Sequence, residues 1–402
     1  MASQITAVGG DMKDIFVVES QRTPFGSFGG VLSDVEATVL GGGAIKALLE
    51  RTGLDPAEVD EVIAGQVLSG GCGQAPARQA MRGAGIPDSA HAMTINKVCG
   101  SGLKAIMLGA GSIQLEDSEI VVAGGMENMS LAPFLLKKAR YGYRMGHGAL
   151  VDLMIYDGLQ DPYSGRHMGE IAEAAVKKHG LTREAQDEFT LRSYKLAQEA
   201  VRGGVFKDEI APVVKKGRKG DEVVSDDEEP FKVDFDKLTQ LRPVFSKDGT
   251  ITAANASTIN DGAAFTLLAG GAALKRCNVA PKARVVAYAT GSLHPELYTE
   301  APVTAIQAAC ARAGLKVGDI DLFEINEAFA AVAMIAMKEL DLDPGKVNVN
   351  GGACALGHPI GASGARLAGT VIRELHKRQA RYGLATLCIG GGEAVAVIFE
   401  RV

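Results

Sequence analysis

No two cysteines of this 402-residue chain stand at the Cys-x-x-Cys spacing that is typical of zinc sites. The cysteines are Cys72, Cys99, Cys277, Cys310, Cys354 and Cys388. Their scatter predicts neither a metal site nor a disulfide framework, and unpaired thiols fit a reducing compartment best.

The chain also lacks the marks of secreted, membrane and nucleic-acid-binding proteins. Its most apolar helical segment, 328–337, stops at Lys338-Glu339, far short of the roughly 20 apolar residues of a membrane span. Residues 1–12 have neither the apolar core of a signal peptide nor the arginines of a transit peptide, and the C-terminus is no peroxisomal signal. A net charge of −6 disfavours a nucleic-acid surface. We therefore expect a cytoplasmic protein without nucleic-acid or membrane partners.

Glycine, by contrast, is abundant, and its 50 residues gather in short motifs. Such motifs indicate tight turns and close backbone approaches rather than linkers. The hydrophobic content of 47% and the charged content of 22% are those of an ordinary globular protein. A chain of 402 residues is too long to fold around a single hydrophobic core, so two or three subdomains are expected.

A similar order of strands, turns and helices occurs twice along the chain. The matching segments are 53–60 with 314–321, 93–96 with 347–350, and 121–125 with 386–391. This repeat predicts two similar α/β halves whose corresponding loops face one shared site beyond the strand ends. We expect the first half at 14–130 plus 251–280 and the second at 281–402.

Residues 131–250 fit neither half and predict an inserted loop domain. Helices are predicted at 168–178 and 183–202 within it. The acidic run Asp226-Asp227-Glu228-Glu229 predicts a solvated, mobile loop, as most charge runs do.

The stretch Asn96-Lys97-Val98-Cys99-Gly100-Ser101-Gly102 predicts a strand, a tight turn and a helix, with Cys99 at the helix N-terminus. A helix N-terminus favours a thiolate by about 0.3–1 kcal/mol. A mostly ionised thiol at neutral pH needs a pKa shift of about two units, or roughly 2.7 kcal/mol. A nearby imidazole must supply the rest. The alternative is that Cys99 is one more small buried side chain.

Three further stretches carry polar groups among glycines or at strand ends. They are Asn326-Glu327-Ala328-Phe329-Ala330, Gly357-His358-Pro359-Ile360-Gly361-Ala362-Ser363-Gly364 and Cys388-Ile389-Gly390-Gly391-Gly392. Taken singly, His358 could be a structural turn residue, Asn326 a helix cap and Cys388 a core residue. Their joint occurrence with Cys99 favours a catalytic site.

The four stretches together resemble the signatures of the thiolase family, in the family's order, and the resemblance extends from about residue 14 to the C-terminus. It implies the thiolase fold, with two similar α/β halves in a five-layered α-β-α-β-α arrangement and an inserted loop domain. It also implies a homotetramer built as a dimer of dimers.

The resemblance further implies the roles of individual residues. Cys99 would be the nucleophile that becomes acetylated, His358 would take its proton, and Cys388 would be the acid/base at the substrate α-carbon. One oxyanion hole would combine His358 with a water held by Asn326, and the other would use the N–H groups of Cys99 and Gly390. Carbon–carbon bond formation between thioesters puts negative charge on two oxygens in turn, so two donor sets are expected.

Substrate-binding residues follow from the same resemblance. His167 and Met168 resemble the short-chain, acetoacetyl-CoA-type members, although a histidine there could simply start a helix. Ser257 resembles the serine that contacts the pantetheine arm. Tyr298 departs from the methionine of many short-chain bacterial members, which leaves the size of the acyl pocket open.

The expected activity is that of an acetyl-CoA C-acetyltransferase. It would condense two acetyl-CoA to acetoacetyl-CoA, or catalyse the reverse thiolysis, through an acetyl-cysteine, with coenzyme A as substrate or product and no permanently bound cofactor. Longer-chain 3-ketoacyl-CoA thiolysis in β-oxidation is the alternative. A ketosynthase is disfavoured by Cys388 and the Asn326 stretch, and a catalytically silent CoA-binding protein by the intact Cys99, His358 and Cys388.

Overall fold

The computed structural model describes residues 14–217 and 220–402, so residues 1–12, where we expected no leader peptide, lie outside the described part. The strands are β1 (Ile15–Arg22), β2 (Gly26–Ser27), β3 (Glu61–Gly65), β4 (His91–Ile95), β5 (Ile120–Asn128), β6 (Phe134–Leu135), β7 (Val151–Asp152), β8 (Val213–Lys215), β9 (Glu222–Val224), β10 (Asn260–Gly270), β11 (Ala283–Ser292), β12 (Leu322–Ile325), β13 (Tyr382–Ile389) and β14 (Glu393–Arg401).

The helices alternate with the strands of the large sheet in most of the chain. They are α1 (Ala37–Thr52), α2 (Pro76–Gly83), α3 (Ser101–Gln114), α4 (Met168–His179), α5 (Arg183–Arg202), α6 (Phe235–Leu238), α7 (Gly271–Cys277), α8 (Ala301–Ala313), α9 (Ala330–Leu340), α10 (Ala353–Leu356) and α11 (Ser363–Arg378), with a π-helical turn at Met154–Leu159. Within the described residues, every helix is too short or too polar to cross a bilayer.

The ten-stranded sheet contains a similar strand order in each half, and its remaining strand, β2, pairs with β10. In the first half the order is β1-β10-β5-β3-β4, and in the second it is β11-β14-β13-β12, followed by a single bridge between Phe323 and Val347. In both halves the first two pairings are antiparallel and the later ones parallel. Two residue pairs between β1 and β11 join the halves.

The segment 347–350, expected to match β4, forms isolated bridges, Phe323–Val347 and Val349–Gly351, instead of a strand. The reason lies in Asn348, whose backbone is left-handed at φ 47°. Its side-chain amide bonds to both the N–H and the carbonyl of Ile325 at 2.8 Å. A side chain therefore satisfies the groups that a paired strand would have satisfied.

The helices form three layers around the two half-sheets. Helices α3 and α11 lie between the half-sheets and share one apolar core with both. Helices α1 and α2 cover the outer face of the first half, and α8 and α9 that of the second. This is the five-layered arrangement that the resemblance implied.

Two glycines let the N-termini of the central helices touch. A methyl group on Gly364 would lie 2.4 Å from the backbone nitrogen of Leu103, and one on Gly102 would lie 2.8 Å from the carbonyl oxygen of Gly361. The stretches that contain Cys99 and His358 therefore meet at the centre of the molecule.

The acidic run does not form the solvated loop that its charge predicted. Asp227 is 4% exposed and accepts two hydrogen bonds from the Arg22 guanidinium, at 2.6 and 2.8 Å, and one from the Phe25 N–H. Glu228 accepts the N–H groups of Ser27 and Val31. The prediction was wrong because the partners of these carboxylates lie about 200 residues earlier, where the sequence pattern of the run gives no sign of them.

Candidate active site

A cavity of about 240 Å³ lies where the glycine-rich turns of the two halves meet. The predicted residues that line it are Cys99, His167, Met168, Ser257, His358, Cys388 and Gly390. Asn326 contacts the ring of His358 and is fully buried. The structure thus brings together residues from both halves and from the insertion around one space.

The turn that presents Cys99 is held by its own side chains. Asn96 Oδ1 accepts the N–H of Val98 at 2.9 Å, and Ser101 Oγ accepts the N–H of Lys97 at 2.8 Å. Val98 has a φ of 45°, a conformation that is costly for a β-branched residue. This backbone places Cys99 just before α3, as the sequence predicted.

The surroundings of Cys99 favour the thiol over the thiolate in the free protein. Burial raises its pKa to about 11, although the N–H of Gly390 donates to the sulfur and opposes the shift. Desolvation thus opposes the stabilisation that the helix end and this N–H give the anion, and the thiolate at Cys99 stays a prediction. Glu127, a nearby carboxyl group, shifts the pKa in the same direction as burial.

The imidazole of His358 is also neutral, and its hydrogen bonds define its tautomer. Ser363 Oγ donates its single proton to the carbonyl of Pro359 at 2.9 Å and therefore accepts from His358 Nδ1 at 2.5 Å. Nε2 is left as the basic nitrogen. Burial, assisted by the charge of Arg366, lowers the pKa of His358 to about 3.

Asn326 lies behind His358, with its Nδ2 3.3 Å from the basic Nε2. It is not a helix cap, because α9 begins at Ala330 with Phe329 at the N-cap position. Its Oδ1 is buried without a partner among the described residues. A buried amide oxygen of this kind calls for a water or a ligand group.

Cys388 is the next-to-last residue of β13, and Gly390 begins the turn to β14. Cys388 is 1% exposed, and burial raises the pKa of its thiol well above the ordinary value, with the sulfur of Cys99 adding to the rise. Because the sulfur of Cys99 is close enough to raise the pKa of Cys388, and both residues line the cavity, the two thiols face the same space.

The insertion contributes His167, which has two roles at once. Its Nδ1 accepts the N–H of Gly169 and so caps α4, and its ring stacks on Phe245 with the centroids 4.8 Å apart. Because Nδ1 accepts, the neutral ring carries its proton on Nε2. His167 therefore both starts helix α4 and lines the cavity.

Tyr298 lines the cavity beside the two thiols, fully buried, and its hydroxyl donates to the carbonyl of Met168 at 2.9 Å. The neighbouring lining is mostly apolar, with Phe245, Phe329 and Ile360. Tyr298, which departs from the methionine of many short-chain bacterial thiolases, therefore forms part of the cavity wall.

Three supporting residues were missed in the sequence. Ser363 orients His358, Asn260 Oδ1 accepts the N–H of His358 at 2.9 Å, and Glu127 accepts the N–H groups of Val67, Leu68 and Gly361. Burial raises the pKa of Glu127 to about 7. A lone carboxylate near the end of the otherwise apolar strand β5 was the available signal for Glu127.

Comparison with known proteins agrees with this geometry. The family model of the thiolase N-terminal domain matches residues 15–272, and that of the C-terminal domain matches 279–401. The acetyl-CoA acetyltransferases of Pseudomonas aeruginosa and Cupriavidus necator are each 50% identical over 392 residues, covering 97% of this chain and 100% of theirs. The crystal structure of the Bacillus anthracis acetyl-CoA acetyltransferase matches with a TM-score of 0.95 and 42% identity, over 97% of this chain and 99% of that one.

The fold and the cavity define an α/β protein of two duplicated halves that bring two thiols and an imidazole to a shared pocket. The chain belongs to the thiolase family. Among the described residues, no three histidine, cysteine, aspartate or glutamate side chains are placed to hold a metal ion together.

Proposed function

We propose that this thiolase is an acetyl-CoA C-acetyltransferase, which condenses two acetyl-CoA to acetoacetyl-CoA and CoA and catalyses the reverse thiolysis. The observation that carries the proposal is the meeting of Cys99, His358 and Cys388 in one small, mostly apolar cavity. The acetyl-CoA acetyltransferases that are 50% identical to this chain over nearly its full length support it.

In the first half-reaction the sulfur of Cys99 attacks the carbonyl carbon of acetyl-CoA. The thiol proton passes to Nε2 of His358 as the carbon–sulfur bond forms, and then to the sulfur of the departing CoA. Since both groups are neutral, proton transfer accompanies attack, and the charge that develops goes to the carbonyl oxygen. The N–H groups of Cys99 and Gly390 stabilise that oxyanion, each by about 2.7–4 kcal/mol.

In the second half-reaction Cys388 passes its thiol proton to Nε2 of His358, and the resulting thiolate takes a proton from the α-carbon of a second acetyl-CoA. The carbanion attacks the acetyl carbon on Cys99, the new carbon–carbon bond forms, and the bond to the Cys99 sulfur breaks. Cys99 leaves as a thiolate and recovers a proton from the imidazolium of His358, so both cysteines end the cycle as thiols. The enolate oxygen is stabilised by His358 and a water that the unpartnered Oδ1 of Asn326 holds.

Coenzyme A is substrate and product in this scheme, and the enzyme works without a permanently bound cofactor. His167, Met168 and Ser257 bind the CoA end of the substrate. The boundaries 14–130 plus 251–280, 131–250 and 281–402 are our assignment of the halves and the inserted domain. The unpaired state of the cysteines supports a cytoplasmic location.

The side chain of Tyr298 limits acyl length in this proposal. We expect the wild-type enzyme to cleave C4 3-ketoacyl-CoA well and C8 or longer substrates poorly, because the ring occupies the wall beside both thiols. Tyr298→Ala should raise the kcat/KM for C8 relative to C4 by about tenfold, and Tyr298→Phe, which keeps the ring, should not. A wild-type preference for long chains would instead support the β-oxidation alternative.

The homotetramer rests on exposed apolar surface in the insertion. Residues between β6 and β7 include Tyr141, Met145 and Leu150, which are 90%, 98% and 68% exposed. A monomer rarely displays so many apolar side chains in one hairpin. The sheet edge at β4, where Met93 is 42% exposed, is a suitable surface for the tight dimer.

Replacing Tyr141 and Met145 together by serine should convert the tetramer to a dimer, measured by multi-angle light scattering. Leu115→Ser, at another exposed leucine that lies outside the hairpin, is the control and should leave the mass unchanged. If the double variant is still a tetramer, the hairpin does not form the tetramer interface.

A further inference from the structure

The turn that contains Cys99 and the turn that contains Gly390 are in direct contact. A methyl group on Gly100 would lie 2.3 Å from Cδ1 of Ile389, so any larger residue at position 100 would displace the Ile389 side chain. The N–H of Gly390 reaches the sulfur of Cys99 across the same contact. The relative placement of the two turns therefore sets the distance between the Cys99 sulfur and the Gly390 N–H.

Few polar interactions fix that placement. Among the described residues, no backbone hydrogen bond joins 96–100 to 389–393. Both turns also have costly or permissive backbones, with φ of 45° at Val98, 91° at Gly391 and 88° at Gly392. The described backbones of the two turns therefore do not bond to each other, and side chains must contribute to their relative placement.

An ion pair spans the two turns next to this contact. Lys97 Nζ bonds to Glu393 Oε2, and Glu393 Oε1 accepts the hydroxyl of Ser292 at 3.2 Å. Lys97 stands two residues before Cys99. Glu393 pairs with Ile389 in the β13–β14 ladder and closes the glycine turn. The pair is partly shielded, with the side chains 22% and 35% exposed.

We propose that Lys97 and Glu393 are positioning residues that clamp the Cys99 turn onto the glycine turn after Cys388. Neither residue lines the cavity. Their effect passes through the backbone to the Cys99 sulfur and the Gly390 N–H. The inference rests on the proposed function, because it assigns the pair to the same reaction.

The expected result is a loss in kcat with little change in KM. Lys97→Met and Glu393→Gln should each lower kcat about tenfold, since small misplacements of reacting groups are costly, and should leave KM within about twofold. The double variant should be no worse than either single variant, because both remove the same interaction. The exchanged pair Lys97→Glu with Glu393→Lys should recover most of the lost kcat.

Ionic strength gives a second, independent measurement. Added salt screens a partly exposed pair, so kcat of the wild type should fall toward that of Lys97→Met, whose own kcat should not respond. Glu400→Gln is the matched control, because Glu400 lies at the far end of β14 in ion pairs with Arg284 and Arg381. It should leave kcat and its salt response unchanged.

The inference is overturned if the single losses add in the double variant, if the exchanged pair stays as slow as the singles, or if kcat does not change at all. A variant that loses its fold would show a lower thermal midpoint, and the salt response of the wild type then decides the question. Failure of the proposed function is distinguishable, because the wild type itself would then lack thiolysis of acetoacetyl-CoA.

Discussion

Replacing Cys388 by serine should leave the protein able to take an acetyl group onto Cys99 but should slow thiolysis and condensation by about 10²–10⁴-fold. The serine hydroxyl is far less acidic than a thiol, so it is a poor base at the α-carbon. In the proposed mechanism, acylation of Cys99 requires only His358 and the donors near the Cys99 turn. Mass spectrometry of the protein after mixing with acetyl-CoA measures acylation, and absorbance of the acetoacetyl thioester measures turnover.

The matched variants separate this role from a general need for thiols. Cys310→Ser changes a buried cysteine of the outer core that does not line the cavity, and it should keep both activities. Cys99→Ser should lose stable acylation. Acetyl transfer to Cys388 in Cys99→Ser, or full turnover in Cys388→Ser, would reverse the assigned roles.

The elements around the cavity were predictable because their signals are local. Helices α4 and α5 follow from apolar spacing, and their observed bounds lie within one residue of the prediction. The duplicated order of strands was visible as a repeat, and equivalent turns of two similar halves meet at equivalent strand ends. The five-layered α-β-α-β-α arrangement was predicted from the family resemblance.

Long-range electrostatics were not predictable from the same patterns. Asp227 is recognised by Arg22, 205 residues away, and no local rule links the two. The same holds for Asn348, which replaces a strand pairing by a side-chain amide. The pKa of Cys99 depends on the desolvation of its thiol by the surrounding residues, which is a property of packing and is absent from a helix-dipole argument.

The alkylation rate of Cys99 by iodoacetamide should rise about tenfold for each pH unit from 7 to 10, or about a thousandfold in all, because only the thiolate reacts and its pKa is about 11. A preformed thiolate–imidazolium pair would instead give a rate that is already maximal near neutral pH. Peptide mass spectrometry at each pH assigns the rate to Cys99 and separates it from the other thiols.

Because the pKa of His358 is lowered, the pH dependence of Cys99 alkylation is also informative below pH 7. Its lowered pKa means that the imidazole stays neutral down to about pH 3, so no inflection of the Cys99 rate is expected between pH 5 and 7. Cys277, exposed in part and outside the cavity, provides the internal comparison for changes in reagent reactivity. An inflection near pH 6 to 7 followed by a plateau would mean that the two groups exchange a proton before substrate arrives. Attack and proton transfer would then be separate steps, and the concerted first half-reaction would have to be abandoned.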